Sequence, residues 1–240
     1  MIIPLQDRGW SIMLYEYGWY LPNGTGLFGN YCGDIRLAAS RDGVHYTRIE
    51  LYQITIPRGE RGNWDSGLLV VSDKAVIKDG TIYLYYAGCG EQWTSWPKQN
   101  RPSAPGLKQM THRRACQMGL ATLDLDRFTC LTTCDGQTFG HAVTAPITVC
   151  NAGQVKLTIN VGDTVQDRIW IEVDILNAAN NEPIAGYADE ACVALDEDGQ
   201  AVTAIWKAHQ TLADVGCKKI RLRFRLYGNA KLYSFYFDEM

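Results

Sequence analysis

Leu68-Leu69-Val70-Val71-Ser72-Asp73-Lys74-Ala75-Val76-Ile77-Lys78-Asp79-Gly80-Thr81-Ile82-Tyr83-Leu84-Tyr85-Tyr86-Ala87 is the most telling stretch of the 240-residue chain. Two runs rich in valine, isoleucine and tyrosine flank Asp79-Gly80, and glycine there accepts the positive φ that a two-residue hairpin turn demands. The same grammar extends upstream. Ile35, Leu37 and Ala39 alternate before Ser40-Arg41-Asp42-Gly43, after which Val44, Tyr46 and Ile49 return, predicting a hairpin over 33–50. Downstream, residues 117–123 and 128–132 supply two more strands around Asp124 to Arg127. Residues 66–133 therefore read as a four-stranded up-and-down meander, the size and connectivity of one propeller blade. Trp10 to Tyr20 and the 33–50 hairpin predict three strands of a preceding blade whose innermost strand is absent, so that the chain is expected to begin in mid-blade.

From Cys134 to Gly140 the composition turns small and polar, and strands are then predicted at 143–149, 154–161, 168–176, 192–195, 203–206, 218–226 and 231–237. About seven antiparallel strands in this span indicate a β-sandwich. Gly228-Asn229 and Asp196-Glu197-Asp198-Gly199 supply turns, and Trp170 and Trp206 are assigned to the core. Arg221, Arg223 and Arg225 alternate with Leu222 and Phe224 and are expected on a solvated sheet face. The predicted fold class is all-β, with a partial β-propeller of about two blades over 1–135 and an antiparallel β-sandwich over 136–240.

Composition narrows the function. With 46% hydrophobic residues the chain can bury one good core or two small ones, and a formal net charge of −3 gives no footprint for nucleic acid or an anionic membrane. Gln6, Asp7 and Arg8 interrupt the start where a signal peptide needs an apolar run, and no stretch of eighteen apolar residues exists. Eight cysteines are scattered without a Cys-x-x-Cys pair or histidines at metal spacing, which predicts mostly reduced, buried thiols, no metal, no cofactor and a cytoplasmic location. Asn23-Gly24-Thr25 matches a glycosylation sequon, which means little without a secretory signal.

Several stretches, in order, resemble proteins related to family 32 and family 43 glycoside hydrolases: Leu37-Ala38-Ala39-Ser40-Arg41-Asp42-Gly43-Val44-His45-Tyr46, Arg61-Gly62-Asn63-Trp64-Asp65-Ser66-Gly67, Tyr83 to Gly88, Gly119-Leu120-Ala121-Thr122, Ile220 to Phe224 and Leu232 to Phe235. The resemblance implies a five-bladed propeller followed by a β-sandwich, with this chain holding the fourth and fifth blades. It also implies acid–base chemistry on a glycosidic bond. The carboxylate motifs of the earlier blades (Asn-Asp-Pro-Asn, Arg-Asp-Pro, Glu-Cys) are missing, so no catalytic triplet carries over.

The candidate chemistry centres on Arg58, Glu60, Arg61, Trp64 and Asp65. Glycoside cleavage needs two carboxyl groups about 5–10 Å apart, one protonated and one ionised. Asp65 and Glu91 are the expected catalytic pair. Arg58, Arg61, Trp64, Trp93, Trp96 and His112 are the expected substrate-binding residues, the tryptophans because an indole face matches the C–H face of a sugar. Trp93, Trp96 and His112 fall in a long loop between Gly88 and Arg114, a length that is usually functional or disordered. Each residue also admits a plain role: Asp65 capping a turn and pairing with Arg61, Glu91 and His112 solvated, the tryptophans packing. Asp42 resembles the structural Asp-box turns of sialidases and is assigned no chemistry. Two functions stay open, a propeller-type glycoside hydrolase portion acting on an oligosaccharide or glycoside, and a non-catalytic carbohydrate-binding or interaction module. Blades lacking neighbours imply a homo-oligomer or a partner chain that supplies them. A fragment with no function of its own is the third reading.

Overall fold

The computed structural model describes residues 2–5, 9–21, 30–49, 53–60, 63–89, 116–149, 155–164, 169–216 and 219–239. The chain is all-β with several sheets, no closed barrel and a single 3-10 turn among the described residues. It divides into two compact units, Met1–Asp124 and Leu125–Met240.

The first unit is one eight-stranded sheet. Strands β1 (Ile2–Leu5), β2 (Trp10–Leu21), β3 (Asn30–Ser40) and β4 (Thr47–Arg48) form an antiparallel meander of four strands, one more than the sequence suggests. A single parallel pair, Gly33 with Leu68, links β3 to β5 (Leu68–Val71). Strands β5 and β6 (Val76–Lys78) lie end to end along one edge of β7 (Thr81–Cys89), and β8 (Gln117–Asp124) takes the other edge. Asp79 and Gly80 both have positive φ, 49° and 73°, which is the turn chemistry that joins β6 to β7. In the β3–β4 hairpin, Asp42 Oδ1 accepts bonds from the backbone N–H groups of Val44 and His45, and Ser40 Oγ accepts from that of Gly43. The His45 imidazole first, then the His45 and Val44 N–H groups and the Ser40 hydroxyl, hold the Asp42 carboxyl well below the usual carboxylate range.

The second unit has two sheets around one core. The first holds β9 (Phe139–Val143), β10 (Ile147–Thr148), β12 (Trp170–Asn177) and β14 (Lys219–Tyr227); the second holds β11 (Val155–Gly162), β13 (Gly199–Thr203) and β15 (Lys231–Glu239). Strand β14 shows why the layers form: Ile220, Leu222, Phe224 and Leu226 are buried while the arginines between them are not. Leu157 and Ile159 of β11, Ile171, Val173 and Ile175 of β12, and Leu232 of β15 belong to the same cluster. Each such side chain contributes about 1.5–3 kcal/mol on full burial. Phe224 and Phe235 meet across the core with ring centroids 5.2 Å apart.

Several expectations need correction: the strands at 192–195 and 203–206 are replaced by isolated bridges and by β13, and residues 66–133 are not a four-stranded up-and-down meander, since β5 and β6 share one edge of β7. The predicted strand at 128–132 does not form; Leu131 instead exchanges backbone bonds of 2.8 and 2.9 Å with Leu232 inside the second unit, and Thr133 Oγ1 donates to Gly228 O. The arginine face is not simply solvated, because the 3-10 turn Asp189–Ala191 supplies acceptors to it. Arg223 and Arg225 pair with the fully buried Asp174 at 2.6 and 2.9 Å, Arg225 also with Glu172 at 2.9 Å and Arg223 with Asp189 at 3.0 Å. Trp206 is core as expected, donating Nε1 to Val173 O, whereas Trp170 is half-buried on the other face of β12 and stacks on Tyr227 at 4.4 Å. Finally, Cys89 and Cys116 form a disulfide, while Cys32, Cys130, Cys134 and Cys192 are free thiols and Cys150 and Cys217 lie outside the described residues.

Candidate functional site

Between β4 and β5 the chain is pinned in steps. Ile56 exchanges backbone bonds with Ile35, and Gly59 N–H donates to Asp65 O at 3.3 Å. Asn63 O accepts from Ser66 N–H, closing a four-residue turn whose two central residues are Trp64 and Asp65. Gly67 N–H then donates to Cys89 O at 2.9 Å, tying the turn to the end of β7.

The turn rests on glycine. A Cβ at Gly88 would sit 2.6 Å from Trp64 Cζ3 and 2.7 Å from Asp65 Cβ. One at Gly119 would sit 2.6 Å from Trp64 Cη2 and 2.7 Å from Tyr86 Cε1. Strand register places Gly119 opposite Tyr86 and Gly88 two residues further along β7, so both lie on the face that Trp64 covers. The indole stacks on Tyr86 with centroids 5.7 Å apart and planes 20° apart. Tyr86 Oη donates to Asp65 Oδ2 at 3.4 Å, a long bond by the usual standard. Burial and, after it, the neighbouring Asp65 charge push the Tyr86 phenol above its ordinary range. The phenol stays protonated and able to donate.

Arg58 is committed to structure. Its guanidinium donates to Ser66 O at 3.1 Å and lies 5.0 Å from the centre of the Trp19 ring. Burial pushes the Cys32 thiol up, and the charge and hydrogen bond of Arg58 oppose this only in part. Arg58 thus fixes the backbone beneath the turn.

Of the expected site residues, Trp64 and Asp65 come together with Arg58 below them. Arg61, Glu91, Trp93, Trp96 and His112 lie outside the described residues. Asp65 has no ion-pair partner among the described residues, and Tyr86 is its one side-chain hydrogen-bond partner there. Sequence reasoning missed Tyr86, Gly88 and Gly119. A glycine inside an apolar strand, as in Tyr85-Tyr86-Ala87-Gly88, is the available signal, since it marks close approach by another group.

Comparison with known proteins returns no matching family model and no matching curated protein. Among the described residues no group of three His, Cys, Asp or Glu side chains is arranged to hold a metal, and no helix is long and apolar enough to cross a membrane.

Proposed function

We propose that the chain is a carbohydrate-active protein whose Trp64–Asp65 turn contacts a glycan, an oligosaccharide or glycoside. The carrying observation is the turn itself: an indole and a carboxylate on adjacent residues, seated on two glycines and buttressed by Tyr86. An indole supplies apolar area for a sugar's C–H face. An ionised carboxylate accepts hydrogen bonds from sugar hydroxyls, and charge-assisted bonds of this kind are stronger than neutral ones.

In this reading the first unit is a pair of propeller-like blades and the second a β-sandwich, as in the hydrolases that the sequence resembles. Hydrolysis then needs a second carboxyl near Asp65, and Glu91 is the candidate. The second reading is binding without turnover, in which Asp65, held by Tyr86, accepts hydrogen bonds from sugar hydroxyls.

One experiment separates the readings. Wild type, Asp65→Asn, Glu91→Gln and Trp64→Ala are assayed for binding by calorimetry on an oligosaccharide panel and for release of nitrophenol from aryl glycosides. Turnover lost in both carboxylate variants supports the hydrolase. Binding that Trp64→Ala abolishes, with no turnover in wild type, supports the module, and wild type that neither binds nor cleaves any member of the panel refutes both.

A further inference from the structure

The side of β5–β8 that faces away from Trp64 carries a second feature. Register aligns Val70 with Ala87 and Met118, Tyr85 with Leu120, and Val76 with Tyr83 and Thr122. Directly paired residues of antiparallel strands share a face, so all eight point the same way, opposite to the buried Leu69, Leu84 and Gly88. Five of the eight are large and open to solvent: Met118 is 72% exposed, Val76 51%, Leu120 50%, Val70 44% and Tyr85 40%. None of the eight is charged.

We propose that this face is a self-association surface on which a second copy of the chain packs, sheet on sheet. Together the five side chains expose on the order of 500 Å² per copy, at the upper end of what soluble monomers show in one patch. A standard stable interface buries about 800 Å² per partner, so the five side chains supply most of one and their rim the remainder. The middle of this face carries no charge, Lys78 and Asp124 standing at its Thr81 end, and so it offers little to a polar ligand or a charged partner. It matches another such face, and an identical copy always brings one. A two-fold arrangement centred there sets Leu120 and Tyr85 over their own counterparts. The inference does not rest on the glycan reading, because Trp64 and Asp65 lie on the opposite side of the sheet.

The test is light scattering on the full chain during size exclusion over a wide concentration range, with Leu120→Lys and Met118→Lys as variants and Val44→Lys, in the exposed turn after β3, as control. Wild type and Val44→Lys are expected at twice the 26.9 kDa monomer mass at high concentration. Each lysine on the face should raise the dissociation constant by about tenfold or more, because an ammonium would be buried unpaired. Met118 is the most exposed of the five, so its variant folds even if Leu120→Lys does not, and circular dichroism checks both. A monomer at every concentration overturns the proposal, as does a dimer whose dissociation constant neither lysine changes.

Discussion

Replacing Gly88 by alanine puts a methyl group 2.6 Å from Trp64 Cζ3, 2.7 Å from Asp65 Cβ and 3.1 Å from Asp65 Cα. Backbone propensity alone favours the change, since glycine inside a strand costs about 0.5–1 kcal/mol relative to alanine. Overpacking opposes it by about 1–3 kcal/mol, and here one of the crowded atoms belongs to the backbone, which cannot rotate away. The clash wins by about 1–2 kcal/mol. For a unit of this size that is a fall in melting temperature of about 4 °C per kcal/mol. Thermal unfolding by circular dichroism measures the loss, and tryptophan fluorescence follows the displaced indole. The double variant Gly88→Ala with Trp64→Ala should recover part of the Gly88→Ala cost, leaving the portion due to Asp65. A Gly88→Ala protein that melts at or above the wild-type temperature with unchanged tryptophan emission refutes the seat beneath the turn.

Asp174 anchors a second set of expectations. Burial pushes its carboxyl up, but bonds from Cys192, the Asp189 N–H and Arg223, with the charge of Arg225, outweigh that and leave it below its ordinary value. A carboxyl lowered in the folded state adds stability that is present above its unfolded pKa, near 4, and is lost as pH falls through the lower folded value. Denaturant melts from pH 5 downward should therefore show a loss in wild type that Asp174→Asn lacks. At neutral pH Asp174→Asn should cost about 3 kcal/mol, because Arg223 and Arg225 lose their buried partner. Cys192 beside it, pushed up to about 12 by burial and then by Asp174, should resist alkylation by iodoacetamide at neutral pH, while the exposed Cys134 reacts first. Replacing both Cys89 and Cys116 by serine reopens a link that spans 27 residues and should lower stability by about 3.5 kcal/mol, read from denaturant midpoints.

Much of the fold was legible where a local rule acts alone. Asp79-Gly80 takes positive φ at both residues, the Asp42 carboxylate binds the turn that follows it, and β14 alternates as written in Ile220 to Leu226. Misreadings arose where distant segments compete. Residues 128–132 look like a strand, but backbone bonds from Leu232 draw Leu131 into the second unit. The arginines of β14 look solvated until the 3-10 turn from 189 to 191, far along the chain, supplies acceptors to them. Cysteine pairing has no spacing rule at a separation of 27, so Cys89 and Cys116 gave no sign of their bond. The site divides in the same way. Trp64 and Asp65 stand out by type and Gly88 by its place in an apolar strand, whereas Tyr86 and Gly119 join them only once β7 and β8 are paired.

The most direct test of the glycan reading follows the indole N–H signals of the seven tryptophans by nuclear magnetic resonance while oligosaccharides are titrated, with the Trp64 signal identified by its loss in Trp64→Phe. The account predicts that the Trp64 signal shifts in a saturable manner with at least one sugar and that Asp65→Asn weakens that titration. A saturable shift at other tryptophans with Trp64 unmoved would contradict it.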